Sequence, residues 1–261
     1  MRSVTVLGAL RLFFAVVAVV AGIAGIVMLV APADSGDYFS WAIGPAPLTT
    51  LVGSFYVASA VVFGIAAIRL DWPGVRGLCV GVLALTIPTL IATARHDEVF
   101  DFGRVQAVLW VVLFVASPCA YGTVLFLQRG KVTTTDAPRL PTWARAIAVL
   151  LGVGYLAFAI WCWVDPAGAA EHMPFALPAL SGAFLGCWAL FLATLALFVA
   201  RRPTRREARL PLLALTLWPF AGLLAGLRSF DDLASGNRVG YLVALGILTT
   251  LAAAALSAAR D

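Results

Sequence analysis

Residues 12–31 read LFFAVVAVVAGIAGIVMLVA, an apolar run without any ionisable side chain. An α-helix needs about 20 apolar residues to cross the hydrocarbon core of a bilayer, so this run is long enough to span a membrane. The apolar core of a cleaved signal peptide is shorter, about 7–15 residues. A similar run also recurs later in the chain, and we therefore interpret residues 12–31 as a retained transmembrane helix.

The rest of the sequence has the same character. Of its 261 residues, 62% are hydrophobic and 12% are charged, whereas soluble domains are about half apolar and about a quarter charged. Backbone groups in lipid must bond within their own segment, and the runs lack the alternation of barrel strands. We predict an all-α membrane protein with every ionisable side chain in a connection or at a terminus. Its eight transmembrane helices are expected at 12–31, 48–68, 77–94, 105–127, 146–164, 178–200, 210–227 and 239–259.

Basic residues indicate how the chain is oriented. With the N-terminus in the cytoplasm, 14 of the 18 Lys and Arg residues fall in cytoplasmic segments, and only Arg95, Arg104, Arg228 and Arg238 fall outside. Since cytoplasmic loops carry an excess of Lys and Arg, we predict that both termini are cytoplasmic. A single lysine among abundant Ala, Leu, Val and Gly is typical of high-GC bacteria. We therefore expect a multi-pass protein of the bacterial inner (plasma) membrane.

The two halves of the chain match each other at an offset near 133 residues. The matches form an ordered series: Pro45 with Pro178, Gly53 with Gly186, Arg69 with Arg202, Arg76 with Arg209 and Arg95 with Arg228. Each half has four spans, and an even number returns the chain to its starting side, so both halves share one orientation. We predict two parallel four-helix repeats, residues 1–128 and 146–261, joined by a cytoplasmic linker at residues 129–145. Their pseudo-twofold axis is expected to run along the membrane normal.

Two matching connections on the predicted outer face carry the candidate site. Residues 95–104 read RHDEVFDFGR and residues 228–238 read RSFDDLASGNR, so both have an arginine, two adjacent acids, a glycine and a second arginine. In a structural interpretation, the first arginine of each pairs with acids of its own half at a helix C-terminus. In a functional interpretation, the two connections together form a twofold site for an anionic ligand, a headgroup or a partner. The candidate residues are Arg95, Asp97, Glu98, Arg104, Arg228, Asp231, Asp232 and Arg238.

Residues inside the spans could also shape a cavity. Pro88, Pro118 and Pro219 kink helices, and such kinks either line a cavity or serve packing alone. Small residues four apart, such as Ala21 and Gly25, let helices approach closely or mark a surface for another subunit. The deepest tryptophans belong either to the core or to a pocket: Trp110, Trp188 and Trp218.

Motifs for catalysis are absent from the sequence. It has no nucleophile elbow, zinc-protease motif, P-loop or dinucleotide fingerprint. The four cysteines lie in apolar runs without CxxC spacing, which indicates neither zinc nor redox chemistry. Basic residues cluster at span ends rather than in a stripe among aromatics, which disfavours nucleic acid as a partner. We predict no catalytic residue, no cofactor and no metal.

Three stretches carry a resemblance to a known group of proteins. They are WAIGPAPLTT at residues 41–50, GSFY at residues 53–56 and RHD at residues 95–97. Together they resemble multi-pass membrane proteins of actinobacteria that have no assigned activity. The resemblance covers about the first four helices and implies no activity or functional residue.

Three classes of function stay open from the sequence. The first is a non-enzymatic membrane component that binds a partner subunit or a lipid. The second is a transporter or permeation pathway for an uncharged or lipid-like solute, since ion-coupled transport normally uses charges within the membrane. The third, and least favoured, is a membrane-embedded enzyme.

Overall fold

The computed structural model describes residues 2–69, 71–130, 138–201 and 204–259 of the chain. Within these ranges, eight helices are long and apolar enough to cross a membrane, which confirms the predicted all-α membrane protein. We number them α1 (Arg2–Val30), α2 (Ala46–Ile68), α3 (Trp72–Arg95), α4 (Val105–Leu127), α5 (Thr142–Val164), α6 (Ala179–Arg201), α7 (Arg205–Arg228) and α8 (Arg238–Ser257).

The helices extend beyond several of the predicted spans. Arg11 lies within α1 and Glu207 lies in the first turn of α7. The expectation that every ionisable residue occupies a connection or a terminus is therefore wrong. The physical reason is that a helix can continue out of the hydrocarbon core into the headgroup layer, where its backbone bonds persist and its side chains can be charged.

Two faces of the bundle follow from the chain order. We call the end at which α1, α3 and α7 begin and α6 and α8 end the terminal face, and the other end the opposite face. Asp71 begins α3 at the terminal face, where its Oδ2 accepts a hydrogen bond from the Gly74 amide at 3.2 Å. Such a cap satisfies one amide that the first turn of a helix leaves without a partner.

Helices α2, α3, α6 and α7 form the interior of the bundle. α3 packs on α6, α2 packs on α7, and α3 also contacts α7. α1 packs on α2, α4 on α3, α5 on α6 and α8 on α7, so these four helices lie outside. Most of α6 is buried, whereas only a small part of α8 is buried. The interior helices therefore come from both halves of the chain.

The exterior of the bundle is apolar. Large aliphatic side chains are exposed on the outer helices, for example Ile23 on α1, Val112 on α4 and Val164 on α5. Such an apolar surface can lie in contact with the hydrocarbon core of a bilayer without exposing polar groups to lipid. The structure thus describes a polytopic membrane protein.

A polar contact joins the halves near the opposite face. Trp41 Nε1 donates to Ser181 Oγ at 3.3 Å, and Ser181 Oγ donates to the carbonyl of Ile43 at 2.5 Å. All three residues are buried. Because a buried polar group without a partner destabilises the fold, this pair of bonds fixes how the connection after α1 sits against α6.

Candidate functional site

Arg95 of the predicted outer site lies against an aromatic ring. It ends α3, and its guanidinium carbon is 5.9 Å from the ring centroid of Trp163 in α5. Asp97 and Glu98 begin the short 3-10 turn that follows α3. Glu98 Oε1 lies 3.6 Å from His96 Nδ1. The first cluster, residues 95–104, therefore contacts the second half of the chain through Arg95 and Trp163.

Arg104 connects its own loop to the loop after α1. Its guanidinium donates to the carbonyls of Gly36 and Asp37. Asp101 Oδ1 accepts from the Gly103 amide at 3.0 Å, which shapes the turn that leads into Arg104. Because Arg104 bonds two carbonyls of the loop after α1, it has a structural role.

The second cluster, residues 228–238, contains a different contact. Asp231 and Asp232 belong to a 3-10 turn, Phe230–Asp232, which matches the turn of the first cluster. The guanidinium carbon of Arg238 lies 4.4 Å from the ring centroid of Phe230. Arg228 ends α7 and is exposed.

The expected ion pairs of Arg95 and Arg228 are not formed within the described residues. The acids lie in 3-10 turns that the backbone stabilises, for example through the Phe100 amide and the Asp97 carbonyl at 3.0 Å. Exposed ion pairs contribute little, about 0–1 kcal/mol, so nothing forces the turns to bend back toward the arginines. No hydrogen bond or ion pair joins the two clusters in the part of the chain that the structure describes. Their role as an anionic site stays a prediction.

The structure reveals a second candidate site, which is bounded mainly by helices of the first half and also by Trp188 of α6. A cavity of about 450 Å³ lies among α1, α2, α3 and α4. It extends from Ser40, in the connection after α1, to Phe63 and Tyr121 deep in the bundle. This volume lies within the range of about 300–1,000 Å³ that is usual for small-molecule sites.

Aromatic rings form the inner wall of this cavity. Trp110 and Phe114 lie on α4 with ring centroids 4.1 Å apart, and Tyr56 faces Trp188 with centroids 6.0 Å apart. Trp110 and Trp188 therefore line a pocket, as the sequence allowed, whereas Trp218 is fully buried in the core beside Trp188. The sequence shows that all three tryptophans lie within spans. It does not show that Trp110 and Trp188 line the cavity whereas Trp218 belongs to the core.

Polar groups of the wall are mostly bonded within the protein. The hydroxyls of Ser59 and Thr86 each donate to a carbonyl one turn earlier in their own helices, at 2.8 Å. Trp110 Nε1 donates to Thr93 Oγ1 at 3.0 Å. The described lining residues include no Asp, Glu, His, Lys or Arg. The cavity is therefore an apolar environment with few polar groups.

Two groups of the wall keep hydrogen-bonding capacity. Tyr121 Oη and Trp188 Nε1 are buried and make no hydrogen bond within the described residues. Leaving such a group without a partner costs about 1–3 kcal/mol. At the loop end of the cavity, Tyr38 donates to the carbonyl of Ala31 at 2.8 Å. Burial, and then the charge of Asp34, raise the pKa of Tyr38, so this hydroxyl stays protonated at neutral pH.

The mouth of the cavity lies between α1 and α4, which contact each other only slightly. Its rim includes Val20, Ile23 and Val27 on α1 and Leu109 on α4, all apolar and exposed. Ile23 is 61% exposed and Leu109 is 53% exposed, so both face the surrounding medium. Because this part of both helices lies within the predicted hydrocarbon layer, these exposed lining residues would face lipid in a membrane.

Aromatic side chains close the cavity toward the terminal face. Phe14 is fully buried, and its ring centroid lies 5.8 Å from that of Phe63 and 5.7 Å from that of Tyr121. Phe13 packs edge-on against Tyr121 at 5.3 Å. These packed rings bound the cavity at the end nearer the terminal face.

No group of three His, Cys, Asp or Glu residues that could hold a metal ion occurs in the described ranges. Comparison of the chain with protein-family models, with curated proteins and with solved structures found no match.

Proposed function

We propose that this protein is a non-enzymatic membrane component that binds a lipid chain, or a similarly apolar molecule, in the cavity among α1, α2, α3 and α4. The observation that carries the proposal is the lateral mouth between α1 and α4, whose rim residues Ile23 and Leu109 are exposed. An apolar cavity with such a mouth is continuous with the acyl-chain region of a bilayer. Lipid chains can therefore enter it without crossing water.

The energetics of such binding differ from those of a pocket in water. Lipid chains are as apolar as leucine, so moving a chain from bilayer to cavity gains no hydrophobic free energy. Affinity then depends on close packing against rings such as Trp110, Phe114 and Tyr56, and on the few polar groups of the wall. The ligand expected here is mainly apolar with at most a small polar group.

The hydroxyls of the wall support binding rather than catalysis. A nucleophilic serine or threonine needs an adjacent base that accepts its proton. Ser59 and Thr86 donate instead to helix carbonyls. These hydroxyls are committed to the backbone, which favours a binding role for the cavity.

Permeation of an uncharged or lipid-like solute is the second candidate. It is favoured by Pro88 in α3 and Pro118 in α4, two helices that bound the cavity and that proline can bend. Passage would require the contacts among Phe14, Phe63 and Tyr121 to separate. Because these rings are packed together, we favour binding over permeation.

The architecture that we propose has two parallel repeats. The packing of α1 on α2 recurs in α5 on α6, and the packing of α3 on α4 recurs in α7 on α8. The contact of α3 with α6 corresponds to the contact of α7 with α2, which is the exchange that a twofold axis produces. The pocket rings Tyr56 and Phe63 correspond to Ala189 and Ala196 at the offset of 133. On this proposal, only the first repeat has an aromatic pocket.

Photocrosslinking tests the lipid proposal. The protein is reconstituted in nanodiscs that contain a phosphatidylcholine with a diazirine on its acyl chain, and adducts are mapped by peptide mass spectrometry. We expect adducts on cavity residues such as Trp110 and Phe114 in addition to the lipid-facing surface. Adducts restricted to outward-facing residues such as Leu12 and Val19 would contradict the proposal.

A pair of variants on one helix sharpens the test. Ala24 lines the cavity, whereas Val19 is exposed on α1 and is not part of the lining. Ala24→Phe should fill the cavity and lower the adduct yield at Trp110, and Val19→Phe should leave it unchanged. Gel filtration in detergent checks that both variants are folded.

A further inference from the structure

A second cavity, of about 590 Å³, lies at the terminal face and is strongly basic. It is formed by the end of α2, the starts of α3 and α7, and the end of α8. Four arginines and one acid line it: Arg69, Arg205, Arg206, Arg209 and Asp71. The described lining therefore has an excess of three positive charges. Because these residues come from both halves of the chain, no single stretch of sequence displays the cluster.

One of these arginines is neutralised by the acid. Arg206 donates through Nε to Asp71 Oδ2 at 2.8 Å and through Nη2 to Asp71 Oδ1 at 2.6 Å. Arg69 and Arg209 differ from Arg206, because neither guanidinium makes an ion pair or a hydrogen bond within the described residues. The nearby Glu207 is not part of the lining, and its Oε2 accepts from the hydroxyl of Thr204. Two guanidinium groups thus lie at one cavity without an ion-pair partner among the residues that the structure describes.

Helix geometry adds to this positive potential. α3 and α7 both begin at the cavity, and the N-terminus of a helix carries a partial positive charge. Asp71 offsets the N-terminus of α3 as its cap. The combined arrangement favours an anion with several acceptor oxygens, because planar guanidinium groups bind phosphate oxygens through paired hydrogen bonds.

The rest of the cavity wall is apolar. Ile65 and Ala66 of α2, Leu210 and Leu213 of α7 and Leu256 of α8 form it. Arginines at the ends of spans lie at the level of lipid headgroups, and apolar residues one or two turns away lie at the level of the acyl chains. A ligand that matches both parts has a phosphate group attached to a hydrocarbon chain.

We propose that this basic cavity binds a phosphate group, which the apolar wall indicates to be that of an anionic phospholipid in the leaflet at the terminal face. This site is separate from the aromatic cavity, whose mouth lies between α1 and α4. Each arginine beside an anionic headgroup strengthens binding by about fivefold. Loss of both Arg69 and Arg209 is expected to weaken it by about 20–30-fold, by the same reasoning.

Binding of phosphatidylglycerol to the purified full-length protein in detergent tests this proposal by native mass spectrometry. Arg69→Gln and Arg209→Gln should each weaken binding, and the double variant should weaken it most. Arg201→Gln is the matched control, because Arg201 is an exposed arginine at the same face that does not line the cavity. Arg69 and Arg209 are both exposed, so their variants are expected to fold. Gel filtration verifies that they do.

A second arm separates a lipid from a soluble ligand. The same variants are titrated with inorganic phosphate in the absence of phosphatidylglycerol. Phosphatidylglycerol binding that depends on Arg69 and Arg209 supports a lipid headgroup, and phosphate binding with the same dependence supports a soluble phosphate compound. Equal phosphatidylglycerol binding by the double variant and the wild type would overturn the proposal. A loss no larger than that of Arg201→Gln would overturn it as well, because it would reflect general surface charge.

Discussion

Gly25 of α1 and Gly53 of α2 meet so closely that a Cβ built on Gly25 would lie 2.8 Å from the carbonyl oxygen of Gly53. The Val57 amide nitrogen would be 2.9 Å from the same Cβ. Both neighbours are backbone atoms, which cannot turn away as a side chain can. The absence of a side chain at Gly25 therefore sets the separation of the two helices, and α1 forms one wall of the aromatic cavity.

Gly25→Ala is expected to destabilise the protein by about 1–3 kcal/mol, because the added methyl group pushes α1 away from α2. Gly64→Ala is the matched control, because a Cβ at Gly64 meets nothing within 4 Å and alanine is the better helix former. The measurement is the midpoint of thermal unfolding in detergent, followed by tryptophan fluorescence. Equal midpoints for the two variants would show that the helix separation is not set at Gly25.

Asp71→Ala should destabilise the protein more than Arg206→Ala. The first change removes both the cap of α3 and the ion pair between the halves, whereas the second removes only the ion pair. A lost cap costs about 1 kcal/mol, and an exposed pair contributes about 0–1 kcal/mol. Unfolding midpoints of the two single variants and the double variant give the separate contributions of the cap and of the ion pair to stability. If Arg206→Ala were the more damaging change, the capping role of Asp71 would be minor.

Arg104→Ala should destabilise the protein by about 1–3 kcal/mol, because its guanidinium bonds two loop carbonyls. Arg228→Ala should change stability little, since Arg228 is exposed and makes no described ion pair. Thermal unfolding distinguishes the two variants.

Retention of a native binding partner or lipid then tests the predicted outer site. If the two clusters form an anionic site, the Arg95→Ala/Arg228→Ala double variant should lose retention while its folded yield is preserved. Unchanged retention in both single variants and the double variant would eliminate this role.

Cytoplasmic placement of the terminal face is a prediction from the basic residues. Reporter fusions after Arg2, at Lys131 and after Arg260 should all report the cytoplasm. The midpoint fusion is the most informative, because Lys131 lies in the segment between the predicted repeats. A periplasmic signal there would rule out four spans in each half.

The number and type of the helices could be predicted from the sequence, because a bilayer imposes a length and an apolarity that each span must satisfy by itself. The run at 105–127 coincides with α4, Val105–Leu127. The predicted run at 12–31 missed the start of α1, since hydropathy reports the hydrocarbon core and not the helical turns beyond it. Arg11 lies in that missed part.

The contacts of the arginines could not be predicted in the same way. Arg95 was expected to pair with acids two or three residues away, but it lies over Trp163 of the other half. The sequence shows which charges are near each other along the chain, whereas the direction of a side chain depends on the turn that follows its helix. The 3-10 turn Asp97–Val99 is such a turn.

The sequence by itself determined that this chain is a membrane protein of eight apolar helices, because each span is a local property of about 20 consecutive residues. Only the tertiary structure decided where the cavities lie. The aromatic cavity exists because α1 and α4 both pack on interior helices but hardly on each other. The basic cavity exists because Arg69 and Arg209 are brought together by helices from different halves. Cavities are spaces between helices, and the distance between two helices is set by the packing of the whole bundle.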